Sequence, residues 1–233
     1  MTAFKVKVVI PARNEALSIA KVVSSVTDQV DQVIVVDNGS TDGTADIAAQ
    51  AGAKIVTVSE PGYGRACLAG IEAAKPYGII VFMDGDAADD PEDLQALLNP
   101  IRTGEVAFTL GSRLTGTIET GALTLPQKFG NSLACFLMKM IWGGQFTDLG
   151  PFRAIRRDTL ESLNMKAETF GWTVEMQCRI LKQKIPYKEI PVKYFRRIGV
   201  SKISGTLSGV VLAGWYILTT IFVEAVRRTP KGS

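Results

Sequence analysis

Short apolar runs alternate with amphipathic segments along the first half of the 233-residue chain. The apolar runs have the length of buried strands, and the segments between them have the apolar spacing of helices. The runs predict strands at 6–10, 32–37, 54–58, 79–84 and 106–111. The intervening segments predict helices at 15–27, 43–51, 65–75 and 91–101. This alternation predicts an α/β fold with a doubly wound, mostly parallel sheet, in a chain long enough for one such domain.

Polar side chains follow three of these strands at the point where each strand ends. They are Pro11, Asn14 and Glu15 after the first strand, Asp37 at the end of the second, and Asp84 with Asp86 after the fourth. Open α/β sheets bind ligands at the carboxyl ends of their strands, so this edge is the predicted site. Two carboxylates suit a hard ion such as Mg²⁺ or Mn²⁺ whose coordination shell also includes oxygens of a diphosphate. An ordinary strand end followed by a turn is the alternative for Asp84 and Asp86.

Composition excludes several kinds of chemistry. The chain has no histidine, which excludes Ser-His-Asp and Cys-His catalysis and leaves carboxylates or no general base. A phosphate acceptor needs no base, because its second pKa is about 6. The net charge of +3 is too small to indicate nucleic acid, and no nucleic-acid-binding motif is present. Cys67, Cys135 and Cys178 lack metal-ligand spacing and are predicted to be reduced thiols of a cytosolic protein.

Three motifs resemble those of the family 2 glycosyltransferases, which have the GT-A fold. They are P-x-x-N-E at 11–15, V-V-D-N-G-S-T-D-G-T at 35–44 and D-G-D at 84–86. Within that family the sequence most resembles the polyprenyl-phosphate sugar synthases, such as dolichyl-phosphate mannosyl- and glucosyltransferases, over nearly the whole chain. The resemblance implies a metal-dependent, inverting transfer of a hexose to a polyprenyl phosphate. The donor would be a nucleotide diphosphate sugar of the UDP-glucose or GDP-mannose type.

The resemblance also implies a set of donor-site residues. That set contains Pro11, Asn14, Glu15, Asp37 and Asp84. Glu15 and Asp37 would hold the base and the ribose, and Asp84 the nucleoside side of the diphosphate. The Mg²⁺ or Mn²⁺ ion would lie on Asp84 and Asp86.

A second glycine-containing loop, at 59–70, joins a predicted strand to a predicted helix through Gly62 and Gly64. Glycines at such a position let backbone amides approach a phosphate, and Arg65 supplies a cation at the start of the helix. In the family this loop lies beside the nucleotide. An ordinary strand-to-helix turn is the alternative.

Basic residues in the second half of the chain are the predicted contacts of the acceptor phosphate. They are Arg113, Lys128, Arg153, Arg197 and Lys202. The prenyl-phosphate branch places cations at positions similar to Arg113 and Lys128. Many relatives have an arginine at the position of Lys128, and a solvated surface charge is the alternative for this lysine.

Two acidic residues complete the predicted catalytic groups. Asp148 lies in a segment that resembles the D-x-x-S-G-F-R-x-x-R motif of the branch, with Pro151 in place of the usual glycine. It would orient the sugar or the acceptor phosphate, or act as a base for a hydroxyl acceptor; a salt bridge to Arg153 or a turn cap is the alternative. Glu175 would border the sugar pocket, or else only favour the dipole of its own helix. The predicted catalytic set is Asp86, Arg113, Asp148 and Glu175.

The C-terminal tail contains an uncharged stretch at 203–223, which just reaches the length of a spanning helix. Basic residues flank it on both sides, so a single span would contradict the positive-inside rule. We therefore expect a helix that lies in the membrane interface or packs on the domain. The predicted organisation is one catalytic domain, 1–200, with a donor half at 1–112, an acceptor half at 113–200, and a tail at 201–233.

The N-terminus enters the first predicted strand without a signal peptide, which predicts a cytoplasmic protein. With a lipid-phosphate acceptor, the expected location is the cytoplasmic face of the membrane, by peripheral association. A homo-oligomer is left open by the sequence.

Two other functions stay open. A family 2 transferase with a soluble acceptor would share every donor motif. A nucleotidyltransferase that makes nucleotide sugars is disfavoured, because its glycine-rich, basic phosphate loop is missing after the first strand. A non-catalytic binding module is less consistent still with the full acidic set.

Overall fold

The computed structural model describes residues 4–199 and 207–227 of the chain. Within them, seven strands form one sheet: β1 (Val6–Ala12), β2 (Gln32–Asp37), β3 (Lys54–Thr57), β4 (Ile79–Phe82), β5 (Phe108–Ile118), β6 (Arg153–Arg156) and β7 (Tyr187–Tyr194). The α-helices in the same residues are α1 (Ile19–Thr27), α2 (Thr44–Gln50), α3 (Tyr63–Ala74), α4 (Leu94–Arg102), α5 (Leu125–Trp142), α6 (Arg157–Leu163), α7 (Trp172–Lys182) and α8 (Leu207–Val226).

The sheet has the strand order β3-β2-β1-β4-β6-β5-β7. All neighbouring pairs are parallel except those of β6, which is antiparallel to both β4 and β5. The predicted mostly parallel α/β sheet is therefore confirmed. Because Ala12 at the end of β1 is in register with Asp37 at the end of β2, the carboxyl ends of these strands meet at one edge.

Helices cover both faces of the sheet, so its central strands are buried on two sides. Val8 and Ile10 of β1 point into a core cluster that also contains residues of α1 and α4. Val9, between them, points into the opposite cluster, which includes Trp172 of α7 and residues of α3 and α5. This two-residue alternation is what a strand between two helical layers requires, and it explains the unbroken apolar runs in the sequence.

Two predicted helices differ from the observed ones. Helix α1 begins at residue 19 rather than 15, because Asn14 has a left-handed backbone (φ 52°) and the Glu15 N–H donates to Thr44 Oγ1 (2.8 Å). The predicted helix at 91–101 is a 3₁₀ turn followed by α4. Asp90 caps that 3₁₀ turn by accepting from the Glu92 N–H (3.0 Å).

Helix α8 packs against α5 and α7, in agreement with the second of the two arrangements predicted for the tail. At its far end, the buried Glu224 accepts from the guanidinium of Arg179 on α7 (2.8 Å). Gly171, just before α7, allows α8 to approach closely, since a Cβ at Gly171 would collide with Oγ1 of Thr220 on α8. Among the residues that the structure describes, no helix is long and apolar enough to cross a bilayer.

Candidate active site

Two aspartates at the end of β4 form the acidic centre of the site. Asp84 and Asp86 line the same cleft. The Tyr63 hydroxyl donates to Asp84 Oδ1 (3.3 Å), and Asp86 Oδ1 accepts from the Ala88 N–H (3.1 Å). The predicted strand end thus brings both carboxylates into one cavity, as the sequence indicated.

A third carboxyl group, which the sequence analysis missed, lies behind this pair. Asp89 is buried, and its Oδ2 lies 3.5 Å from the Asp84 backbone N–H, which donates to it. Burial, and then the neighbouring Asp86 carboxylate, raise the pKa of Asp84 to about 7. Burial together with Asp84 and Asp86 raises the pKa of Asp89 well above its usual range. Burial and mutual repulsion therefore make it unfavourable for all three carboxyl groups to be ionised at once.

This excess of carboxylate suits a divalent cation. Asp84 and Asp86 offer hard oxygen ligands to the cleft that they line, and an added positive charge would relieve their repulsion. Within residues 4–199 and 207–227, no group of three or more acidic, cysteine or histidine side chains is arranged to hold a metal. A cation bound here would thus depend on further oxygen ligands from a substrate diphosphate and water, which is common for Mg²⁺.

Arg197, after β7, lies across the acidic centre. Its guanidinium pairs with Glu15 Oε1 (3.0 Å) and lies 3.4 Å from Asp86 Oδ2. Backbone hydrogen bonds hold its segment in place, because the Ile198 N–H donates to the Asp86 carbonyl (2.9 Å). Arg197 therefore joins the ends of β1 and β4, and it lines the cleft.

Arg113 and Asp148 form a bidentate ion pair at the wall of the cleft. Arg113 Nε donates to Asp148 Oδ2 (2.8 Å) and its Nη2 to Oδ1 (2.6 Å). Burial raises the pKa of Asp148, but the Arg113 guanidinium and backbone N–H donors outweigh burial, so the net pKa is lowered. Arg113 also lies over the ring of Tyr194, 4.9 Å from its centroid. The Asp148 side chain has no exposed surface, and its ion-pair partner is Arg113 rather than Arg153.

The donor side of the site is a set of loops held together by side-chain amides and hydroxyls. Asn14 Oδ1 accepts from the Thr41 N–H (2.8 Å), and Asp37 Oδ1 accepts from the Ser40 N–H (3.3 Å). Asn38, which the sequence analysis did not select, accepts from the Gly62 N–H (3.0 Å). These bonds join the loops after β1, β2 and β3, which the motifs at 11–15 and 35–44 assign to the nucleotide.

The cleft lined by Asp84 and Asp86 has a volume of about 520 Å³ and two chemically different parts. Its polar floor is formed by Asp84, Asp86, Arg113 and Arg197. Its apolar walls come from two helices, with Phe129 and Leu133 on α5 and Ile217 and Leu218 on α8. A ligand that fills it therefore needs a charged end and a hydrophobic body.

The sequence of most of the chain matches a known family profile. The profile of Glycosyl transferase family 2 matches residues 7–163, which is more than half of the chain. The chain belongs to glycosyl transferase family 2.

Relatives of this family 2 chain include synthases of prenyl-linked sugars. Polyprenol monophosphomannose synthase of Mycolicibacterium smegmatis is 32% identical over 219 residues, covering 85% of this chain and 81% of the synthase. Undecaprenyl-phosphate mannosyltransferase of Micrococcus luteus is 29% identical over 220 residues, covering 88% and 90%. The predicted family and its prenyl-phosphate branch are confirmed by these matches.

Other relatives are longer than this chain. Glycosyltransferase AglJ of Haloferax volcanii is 31% identical over 189 residues, which cover 80% of this chain. The chain spans 62% of the length of AglJ and 50% of the length of the hexosyltransferase Agl6 from the same organism.

Solved structures confirm the predicted GT-A fold. Glucosyl-3-phosphoglycerate synthase from Mycobacterium tuberculosis, in complex with Mn²⁺, UDP-glucose and phosphoglyceric acid, superposes with a TM-score of 0.77. The match covers 96% of this chain and 80% of that structure at 23% sequence identity, so it shows a shared fold.

Several residues predicted for the site of this family 2 chain lie elsewhere. Arg153 is fully buried behind the turn and donates to the carbonyl oxygens of Thr173 (3.0 Å) and Gly150, so it does not reach an acceptor phosphate. The reason is that carbonyl oxygens of the preceding turn, those of Leu149 and Gly150, accept hydrogen bonds from its guanidinium. Lys128 is exposed on α5 and is not part of the cleft wall. Lys202 lies outside the described residues.

Glu175 and Arg65 support the site from outside the cleft. Glu175 is buried in α7 and accepts from the backbone N–H groups of Lys166 (3.0 Å) and Ala167 (2.8 Å). It therefore holds the loop before α7 rather than facing the sugar. Arg65 pairs with Glu60 (2.6 Å) and Glu168 (2.6 Å), and it is not among the residues that line the cleft.

The loop held by Glu175 packs on the start of α3, which makes Gly64 sensitive to substitution. A Cβ at Gly64 would collide with the carbonyl oxygen of Ala167. We expect Gly64→Ala to lower the free energy of unfolding by about 1–3 kcal/mol, since neither backbone can move freely. Gly130→Ala, inside α5 with no heavy atom within 4 Å of the new Cβ, is the matched control and should be neutral or stabilising by up to about 1 kcal/mol. Thermal unfolding of both variants checks this; equal melting temperatures would contradict the packing.

Proposed function

We propose that this family 2 chain transfers a hexose from a nucleotide diphosphate sugar to the phosphate of a polyprenyl phosphate. The two-part cleft supports this most directly. Its floor carries Arg113 and Arg197 for a phosphate, and its walls on α5 and α8 are apolar. A polyprenyl phosphate has the same division into an anionic head and a hydrophobic chain. The named prenyl-phosphate transferases among its relatives agree with this choice of acceptor.

The donor diphosphate would lie at the edge formed by the ends of β1, β2 and β4. Glu15 and Asp37 at this edge are the proposed partners of the nucleoside, and Asp84 and Asp86 would hold a divalent cation. When bound, Mg²⁺ or Mn²⁺ would neutralise charge that builds up on the leaving diphosphate. Glucosyl-3-phosphoglycerate synthase, which shares the fold, was solved with Mn²⁺ and UDP-glucose, and this supports the choice of a divalent cation and a nucleotide sugar as ligands.

The transfer exchanges one bond for another at the anomeric carbon. An oxygen of the acceptor phosphate attacks that carbon, while the bond from the carbon to the diphosphate oxygen breaks and the electron pair leaves with the nucleoside diphosphate. In-line attack from the opposite face inverts the anomeric configuration, as the resemblance implies. The attacking oxygen is already ionised near neutral pH, so the chain needs no general base, in keeping with its lack of histidine.

Arg113 and Arg197 would hold the acceptor phosphate during the attack. Both guanidinium groups face the cleft, and Arg113 is fixed in orientation by Asp148. Arg113 already uses Nε and Nη2 on Asp148, and Arg197 uses Nη2 on Glu15. The remaining N–H groups of each guanidinium would therefore bind the phosphate oxygens and set the angle of attack. Holding the two reactants in line is the main contribution we assign to these arginines.

The first test is a nucleotide-release assay with Mg²⁺ or Mn²⁺. It crosses UDP-glucose, UDP-GlcNAc and GDP-mannose against a short prenyl phosphate in detergent. We expect release from one donor that depends on both the metal and the prenyl phosphate, with a prenyl-phosphate-linked sugar as the product. Dephosphorylated prenol is the matched control acceptor and should give no product.

Other results would redirect the assignment. Donor hydrolysis that ignores the lipid would keep a family 2 transferase but favour a soluble acceptor. Release of pyrophosphate from a nucleoside triphosphate and a sugar phosphate would indicate a nucleotidyltransferase instead. A location at the cytoplasmic face of the membrane and a homo-oligomer both stay predictions.

A further inference from the structure

Exposed apolar side chains concentrate on two neighbouring helices. Among the described residues, fifteen large apolar side chains are exposed, with five of these on α5 and six on α8. On α5 they are Leu125, Phe129, Phe136, Met140 and Ile141. On α8 they are Leu212, Trp215, Leu218, Phe222, Val223 and Val226. We refer to these eleven residues as the α5–α8 surface.

The spacing of these residues, apart from Ile141, places them on one face of each helix. On α5, Leu125, Phe129, Phe136 and Met140 follow at intervals of four, seven and four residues, which is the repeat of a single helical face. On α8, the opposite side carries Ile221 and Glu224, which are buried against the domain. Since α5 and α8 pack on each other, their outward faces form a continuous surface.

The charges around this surface have one sign. Lys128 and Lys139 are exposed on α5, each three residues from a member of the apolar face. Helix α5 contains no carboxylate at all, and the only one on α8, Glu224, is buried in ion pairs with Arg179 and Arg227. The surface is therefore apolar at its centre, cationic at its edge and free of exposed carboxylates on both helices.

The acceptor cleft opens on the same surface. Phe129 and Leu218 belong both to the exposed set and to the walls of the cleft. A hydrophobic chain that leaves the cleft between α5 and α8 would therefore emerge among exposed apolar side chains rather than in water. The surface and the cleft share an opening, which ties the surface to the acceptor.

We infer that the α5–α8 surface docks on the face of a lipid bilayer with anionic headgroups. This inference rests on the proposed function, because it lets a prenyl phosphate enter the cleft while its chain stays in the bilayer. Apolar side chains with a tryptophan among them and lysines at the edge are the features that bind a helix to such an interface. Contact between two copies of the same surface would instead oppose lysines of like charge.

The test uses the full chain and vesicles without polyprenyl phosphate. Phosphatidylcholine vesicles are compared with vesicles that also contain phosphatidylglycerol, by co-flotation. Quenching of tryptophan fluorescence by brominated lipid reports insertion of Trp215, since Trp172 is fully buried and Trp142 is partly buried. We expect binding that is stronger on the anionic vesicles, together with quenching.

Two variants and a control locate the docking surface. The double substitution Trp215→Gln with Phe222→Ser should weaken vesicle binding at least about tenfold, because it removes apolar contacts with the bilayer. Lys139→Glu should weaken binding about tenfold on anionic vesicles only. Leu17→Ser, an exposed leucine outside the two helices, is the matched control and should bind as the wild-type protein does.

The outcomes separate this inference from the proposed function. Transfer to a short, water-soluble prenyl phosphate should survive the Trp215 and Phe222 substitutions, while transfer to a long-chain acceptor in vesicles should fall. If the wild-type protein binds vesicles but transfers no sugar, the proposed function is wrong, while the docking of the α5–α8 surface on a bilayer still stands. Vesicle binding unchanged by the double substitution would overturn the surface. So would a dimer in solution, seen by light scattering, that the double substitution dissociates.

Discussion

Asp86→Ala should lower the rate of sugar transfer by about a thousandfold or more. Asp86 is buried in the acidic centre, where one of its oxygens lies 3.4 Å from the Arg197 guanidinium. Removing this carboxylate takes away one of the two proposed metal ligands and one contact of Arg197. The expected readouts are the transfer rate and the binding of Mn²⁺, followed by electron paramagnetic resonance.

The fold should survive this substitution. Asp86 raises the pKa of its neighbours Asp84 and Asp89 by repulsion, so its removal relieves unfavourable interactions within the site. Asp90→Ala, four residues further on, is the matched control. Asp90 caps a 3₁₀ turn, so its loss should cost about 1 kcal/mol of stability and leave transfer intact. Metal-dependent turnover in Asp86→Ala at the wild-type rate would contradict the assignment of the acidic centre.

The sequence predicted the acidic centre because its determinants are local. An apolar run ends at Asp84, and the parallel arrangement of β1, β2 and β4 then follows from the alternation of strands and helices. Asp89 was missed, although its spacing of three residues from Asp86 was visible. The burial of Asp89 behind Asp84 cannot be read from the sequence, because it depends on the position of β7. In the structure, Asp89 forms a β-bridge with Tyr194 at the end of β7.

The acceptor side was predictable only in part, because its contacts join distant segments. Arg113 and Asp148 are 35 residues apart and meet through the pairing of β5 with β6. Both were selected from the sequence, but as separate groups. Arg153 looked equivalent to Arg113 in the sequence, yet its neighbours are backbone carbonyls and its side chain is buried. Residue type alone does not distinguish an arginine that faces a ligand from one that holds a turn.

The position of α8 shows the same dependence on tertiary pairing. An uncharged stretch of this length is compatible with a span, an interfacial helix or a packed one. The packed arrangement depends on Glu224, which pairs with Arg179, 45 residues earlier on α7. Once Glu224 is buried in that pair, the opposite face of α8 is the one left exposed. One helix thus supplies a wall of the cleft on its inner side and part of the α5–α8 surface on its outer side.

Arg113→Met should lower the free energy of unfolding by about 3–5 kcal/mol, because it leaves the fully buried Asp148 carboxylate without its counter-ion. The double substitution Arg113→Met with Asp148→Asn should recover much of that loss, since no unpaired charge remains. Arg157→Met is the matched control: it breaks an exposed pair with Glu161 (2.8 Å) and should cost less than about 1 kcal/mol. Denaturant unfolding of the wild-type protein, of the two single variants Arg113→Met and Asp148→Asn, and of the double variant measures the coupling energy between Arg113 and Asp148.

The acid dependence of stability gives an independent check on this pair. Asp148 has a folded-state pKa below its unfolded value of about 3.9, so it contributes stability that is present above that value and is lost as the pH falls through the folded-state pKa. The wild-type protein should therefore lose more stability between neutral and acidic pH than the double variant does.

Two outcomes would show that the ion pair does not stabilise the wall of the cleft. One is a free energy of unfolding that falls equally with acid in the wild-type protein and the double variant. The other is a cost for Arg113→Met no larger than for Arg157→Met. A strong coupling, by contrast, would mean that Arg113 is fixed in orientation before any phosphate arrives, which is what an in-line transfer without a general base requires of its acceptor-binding groups.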